Sequence, residues 1–446
     1  MTRAARERDL PDQIYSLLVE EEDARVCRDI PDSACNEQPR AFVLQLAAQT
    51  LTKIGDALTS SRLVLAWMLS ALGSPAIFIA LLVPLRESLS LLPQLFVAQF
   101  VRQHSLRKMF WAWGSVAQGL ALALMVPAVL LLRDFALGLV VVILLALFSL
   151  ARGVCSVAAK DVLGKTISKS RRGRLNGLSA SAAGAVTLAV AIVLLLAPGL
   201  AGEGAEGDAG LFAVILALAA LLWLLAAAVY AGVPEVPGAT EGGANAIVEA
   251  LRSLSLLRTD RQFRDFVIAR MLLISSAFAI PYIVVLIQRA ADGQLLSFAA
   301  LLLAEGAAGL LSAPFWGRWS DTGAHKVMAA AAALSVAVML AAVGLHWLLP
   351  EAIGMVLVAS LLLFVAAVAH QGARVGRKTY LVDMASSGNR AQYTAVSNTV
   401  IGLFLFSGAG LGVIDAVYGT ASVLVFLALA GVLAVWRSLS LPSVSD

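Results

Sequence analysis

Apolar runs long enough to cross a lipid bilayer recur from about residue 40 to residue 437. That recurrence narrows the possible folds more than any motif does. In hydrocarbon every backbone N–H and C=O must be bonded within the chain, which leaves bundled helices or closed barrels. Runs of about 20 residues fit helices, whereas barrel strands need only about ten. With 60% hydrophobic and 14% charged residues and a mean hydropathy of +0.85, the chain reads as an all-α, multi-pass membrane protein.

The same composition excludes several function classes. A formal net charge of +4 gives no support for nucleic-acid binding. No GxxxxGK[ST] run is present, so ATP hydrolysis is not expected, and no nucleophile–base spacing points to an enzyme. Cys27, Cys35 and Cys155 make an odd count and imply no disulfide framework. No His stands beside Cys27 and Cys35, so neither a metal site nor a cofactor is expected.

A window of about 19 residues places apolar spans near 40–58, 75–101, 109–132, 135–160, 175–198 and 210–232, then near 264–288, 295–316, 326–348, 352–376, 394–414 and 417–437. The run "LVLAWMLSALG", Leu63 to Gly73, is too short to span and is expected as an interfacial helix. The resulting division is a polar, acidic N-terminal extension (1–39), a first six-helix bundle (40–233), a linker (234–262), a second bundle (263–438) and a short tail (439–446). The extension lacks a basic segment leading into an apolar one, so it is not read as a signal peptide. A helix is expected over Asp12–Ala24, and a surface helix over Ala246–Leu257 in the linker.

Basic residues set the orientation. Arg102, Arg107 and Lys108 follow the second span; Lys165, Lys169, Arg171, Arg172 and Arg174 follow the fourth; the central connection carries Arg252, Arg258, Arg261 and Arg264. The alternate loops carry little positive charge, which puts both termini in the cytoplasm.

Polar residues also reveal a repeat. A gap-free shift of 218 positions lays Lys108 on Lys326, Glu87 on Glu305, Arg152 on His370, Lys160 on Lys378 and Arg172 on Arg390. Parallel duplication of a six-helix unit is a known transporter plan. Ionisable residues inside the expected spans fall in the first (Lys53, Asp56), second (Arg86, Glu87), fourth (Arg152), seventh (Arg270), eighth (Glu305) and tenth (His370, Arg374). A charge at mid-bilayer costs about 2.5–3.5 kcal/mol on insertion scales, so these spans should face a polar interior.

Residues 40–437 resemble the major facilitator superfamily of secondary transporters. The most specific local match is "GRWSDTGAHK", in which Gly317, Asp321 and Lys326 fit the family's signature in the loop after the eighth span. "GNRAQYTAVSNTVIG", Gly388 to Gly402, looks like the family's entry into the eleventh span. In the first half, "QFVRQHSLRK" puts Gln99 and Gln103 where the family has Gly and an acid, and only Arg107 and Lys108 remain.

The resemblance implies two pseudo-symmetric six-helix bundles, twelve spans in all, rocking about a central site in a membrane expected to be the bacterial inner membrane. It implies a secondary active transporter of a small solute, with protons and lipid as further partners, working as a monomer. Gly317, Asp321, Lys326, Arg107 and Lys108 would then serve gating. The surplus of interior cations favours an anionic or zwitterionic solute, with Arg86, Glu87, Lys53, Arg152 and Gln94 as expected contacts. Glu305, Glu87, Asp56 and His370 are the expected proton-coupling groups, because a desolvated carboxyl can hold a proton near neutrality and His titrates there.

Competing readings exist for each. Arg86 and Glu87, about 100° apart on a helix, could belong to a fixed ion-pair network, Lys53 with Glu87 and Asp56 with Arg86. Arg270 and Arg374 could snorkel, His370 could be an ordinary hydrogen-bonded core residue, and Lys160 and Lys378 could be topology determinants at helix ends. Trp316 and Trp319 would sit in an interfacial belt. A transporter-like assembly factor, or a lipid- or pigment-handling protein that moves no solute, is the alternative function.

Overall fold

The computed structural model describes residues 10–18, 30–92, 103–196, 204–238, 254–291, 295–385 and 390–444, with residues 97, 100 and 101. No strand occurs among them. A short helix, Leu10–Leu18, stands where Asp12–Ala24 was expected. The main helices are α1 (Gln38–Leu58), α2 (Val64–Ala71), α3 (Ala76–Leu91), α4 (Lys108–Leu131), α5 (Asp134–Thr166), α6 (Lys169–Leu196) and α7 (Gly204–Ala231). They continue as α8 (Arg261–Leu272), α9 (Ser275–Ala290), α10 (Leu295–Leu348), α11 (Val356–Met384), α12 (Arg390–Leu405), α13 (Gly410–Tyr418) and α14 (Thr420–Leu439).

Among the described residues nine helices are long and apolar enough to cross a membrane. The first expected span is α1, and the second continues into residues outside the described set. The eighth and ninth fall on the single segment α10, bent where Gly323 leaves helical geometry (φ 178°, ψ 74°). The signature around Gly317–Lys326 is therefore a bend within helix rather than an open loop.

The repeat is visible in the helix ends. Thr166 closes α5 and Met384 closes α11, 218 positions apart, and Lys108 opens α4 at the position equivalent to Lys326, just beyond the bend in α10. Small residues let helices approach. A methyl group on Gly372 of α11 would lie 2.7 Å from the Trp316 ring of α10, and one on Gly376 would lie 3.1 Å from the Ala324 carbonyl oxygen.

Three expectations change. The Leu63–Gly73 run is not interfacial: Leu63 through Leu69 are all buried, and α2 packs against α3 and α9. It continues the first span after a break at Thr59–Leu63, where apolar side chains on every face suit a core position. Trp316 is no belt residue either. It is 3% exposed, donates its indole N–H to the Val368 carbonyl at 2.9 Å and stacks on Trp319. Cys35 is disulfide-bonded, since an odd cysteine count still leaves room for one bridge, while Cys155 is free and buried. Residues 246–253 of the expected linker helix lie outside the described set; a short helix, Leu256–Thr259, follows them. Asp260 then caps α8 by accepting from the Phe263 N–H at 2.9 Å.

Candidate functional site: a cationic cavity between the halves

The first span of each half is interrupted, after Leu58 in one and after Leu272 in the other, and each break carries polar groups into the interior. At the end of α1, the Thr59 hydroxyl and N–H both return to the Gly55 carbonyl, at 2.8 and 3.0 Å. This leaves the Thr59 carbonyl facing the Arg86 guanidinium at 3.5 Å. Between α8 and α9, Ser275 and Ser276 donate back to the Leu272 and Leu273 carbonyls, both at 2.8 Å. Ser276 also lies 3.3 Å from Nδ1 of His370. Broken helices within a bundle need such side chains to satisfy the freed backbone.

Beside these breaks lies a cavity of about 830 Å³, walled by α1, α3, α5 and α6 from one half and α8 to α12 from the other. It is closed where α2 packs against α9. There the Ser70 hydroxyl donates to the Gln288 side-chain oxygen at 2.7 Å, across the same offset of 218 that relates the repeats. Two repeat-equivalent residues touching each other place this contact at the pseudo-two-fold axis.

The cavity wall gathers many of the residues singled out in the sequence. Lys53, Asp56, Arg86, Glu87, Arg152, Arg270, Glu305, His370 and Arg374 all line it. Asp56 is clasped by two arginines: Arg152 bonds both carboxylate oxygens, the Oδ2 contact being 2.6 Å, and Arg86 reaches Oδ1 at 2.7 Å. The Arg86 guanidinium also lies over the Phe148 ring, 4.7 Å from its centroid. Glu87 takes Arg62 at 3.0 Å, and Lys53 turns instead to Ser179 at 2.5 Å and the Asn176 carbonyl at 3.1 Å. The Asp56–Arg86 pair is thus as expected, and the Lys53–Glu87 pair is replaced by Arg62–Glu87. Arg270 does not snorkel. It is 9% exposed and donates to Ser397 at 2.6 Å and to Asn398 at 2.9 Å.

Other expected site residues lie elsewhere. Gln94 falls outside the described residues. Asp321 is exposed near the bend in α10, beyond the cavity. Arg107 and Lys108 join a separate network at the start of α4: both backbone N–H groups donate to Glu235, Arg107 pairs with Asp161, and Lys165 bridges Asp161 and Glu235. This network ties α4, α5 and the segment after α7 together within one half.

Arg62, Arg377 and Lys378 also line the cavity and were missed or discounted in the sequence. Arg62 flanks an apolar run rather than interrupting one, so hydropathy hides it. The spacing Arg374–Arg377–Lys378, which puts all three on one helical face, was the signal available for the other two. Among the described residues no group of three or more His, Cys, Asp or Glu side chains could hold a metal ion.

No family model matches the chain, and no curated protein matches it in sequence. Solved structures do match its shape. The nucleoside transporter NupG superposes with a TM-score of 0.66 at 13% identity, over 89% of this chain and 99% of that one. The inward-open xylose transporter XylE from E. coli gives 0.64 at 15%, over 90% and 97%. A peptide transporter of the POT type in complex with sulfate gives 0.63 at 11%, over 90% and 93%. The chain has the multi-pass, all-α major facilitator fold, with eleven of its charged residues lining the cavity between the halves among the described residues.

Proposed function

We propose that this protein is a secondary active transporter that moves a small anionic or zwitterionic solute across a membrane by alternating access, with proton coupling. The single observation that carries the reading is the cavity itself. Among the described residues eight lysines and arginines and only three carboxylates line a space of about 830 Å³ in the middle of an apolar bundle. Charges are kept inside membrane proteins where they meet ions or solutes, and the volume suits a small metabolite. The structures of similar shape are named as nucleoside, xylose and peptide transporters, which agrees with a carrier and leaves the solute to be read from this cavity. Residues 40–233 and 263–438 act as the two rocking bundles of a monomer in the bacterial inner membrane, with both termini cytoplasmic.

In this reading Arg86, Glu87, Arg152 and Lys53 form the first-half wall of the solute site, and Glu305 carries the proton. Counterflow in proteoliposomes tests the whole: labelled solute should accumulate transiently against unlabelled solute trapped inside. A protein that binds solute and never exchanges it would contradict transport.

Asp321 belongs to gating in this scheme. It stands 16 residues along α10 from Glu305, roughly 24 Å at 1.5 Å per residue, too far to touch solute. Asp321→Asn is expected to slow exchange while leaving the equilibrium Kd close to wild type. A large loss of affinity with unchanged turnover would contradict the assignment.

A further inference from the structure

The two sides of the cavity treat their cations differently. On the first half, Arg86 and Arg152 share Asp56, Glu87 pairs with Arg62, and Lys53 bonds, among the described residues, only the neutral Ser179 and the Asn176 carbonyl. On the second half, Arg270, Arg374, Arg377 and Lys378 line the same space. Among the described residues none of these four takes part in an ion pair. Arg270 is held only by neutral Ser397 and Asn398, and its buried Nε has no partner among the described residues. His370, 6% exposed and one turn before Arg374, likewise has an unpartnered Nε2. Among the described residues Glu305 is the only carboxylate on that side of the wall.

Resting on the transport reading above, we infer that the solute is an organic anion carrying at least two negative charges close together, a phosphomonoester or a compact di- or tricarboxylate, held on the Arg374–Arg377–Lys378 face with Arg270. Spacings of three and four residues put these cations within about 6 Å along the axis of α11, so the complementary charges must be equally close. Guanidinium forks match the oxygens of phosphate and carboxylate in pairs. Beside Glu305 this side keeps a surplus of three cations, of which a monoanion would leave most uncompensated and a neutral sugar or nucleoside all. A bare inorganic ion would fill little of the volume, whereas Ile274, Leu302 and Leu405 offer an apolar wall to an organic body.

The test is isothermal titration of the purified full chain with a charge series: glucose against glucose 6-phosphate, and lactate against succinate and citrate. Glucose 6-phosphate, succinate or citrate is expected to bind about tenfold or more tighter than its less charged counterpart. Which arm responds separates phosphate from carboxylate recognition. Arg377→Gln and Lys378→Gln should each weaken the multivalent anion about tenfold, with little effect on lactate. The series on the unaltered protein stands even where a variant fails to fold. The inference is overturned if glucose or lactate binds as tightly as its charged counterpart, if none of the five binds, or if both folded variants keep wild-type affinity. Counterflow separates this from the reading beneath it. Tight binding of a dianion without exchange refutes transport and leaves the solute class standing, while exchange of a neutral sugar refutes the solute class alone.

Discussion

Glu305→Gln is expected to abolish pH-gradient-driven accumulation while preserving exchange of solute between the two sides. Glu305 lines the cavity on α10 and makes no ion pair among the described residues, whereas its repeat counterpart Glu87 is held by Arg62. A carboxyl with no bonded cation can take up and release a proton, which an ion-paired one does not. Of the two, Glu305 is therefore the group free to load and release a proton as the cavity changes sides. Gln keeps the size and the hydrogen bonding and removes the titration. With one proton per solute and no membrane potential, a gradient of one pH unit is worth about 1.4 kcal/mol, roughly a tenfold accumulation ratio. The variant should bring that ratio to about one, with the counterflow rate within a few fold of wild type. Continued accumulation would move the proton to another group, His370 first.

The second large effect is on stability. Asp56→Asn leaves Arg86 and Arg152 facing one another without their shared anion. Removing one partner of a buried pair costs about 3–5 kcal/mol. The lower end applies, because Arg152 and Asp56 side chains keep 35% and 22% of their surface accessible. A loss of about 3 kcal/mol should appear as a lower melting temperature in detergent and poor yield. The double variant Asp56→Asn with Arg152→Gln should recover part of it, since one stranded charge has gone. An unchanged melting temperature in the single variant would mean the arginines already find other anions or water, and the ion-pair account of this wall would be wrong.

The fold was legible in the sequence because lipid imposes a simple rule on composition and because the repeat kept its charges in register. The offset of 218, first seen at Lys108 and Lys326, reappears in helix ends and in the Ser70–Gln288 contact. What escaped did so for physical reasons. Leu63–Gly73 was too short to count as a span, since hydropathy cannot see that a broken helix continues beyond Arg62. The hydropathy window ends the tenth span at residue 376, one short of Arg377, because cations depress it just as a loop does. Yet α11 continues to Met384, and both Arg377 and Lys378 face the cavity from inside the helix. Pairings were less legible than positions. Periodicity places Lys53 and Glu87 on interior faces, but only packing decides that Lys53 meets Ser179 on α6 while Glu87 meets Arg62.

Alternating access is the central claim, and labelling of one engineered cysteine tests it most directly. Gly309 lines the cavity with open space where a side chain would go, so Gly309→Cys should be tolerated. In a protein whose other cysteines have been replaced, a membrane-impermeant maleimide should modify this residue from both sides of a sealed membrane. It should react more slowly from the side where Ser70 and Gln288 close the cavity. Joining cysteines at positions 70 and 288 with a short bifunctional reagent before Gly309→Cys is labelled should stop modification from that side and spare it from the other. Labelling from one side only, with or without a bound multivalent anion, would show a fixed pocket and contradict a carrier.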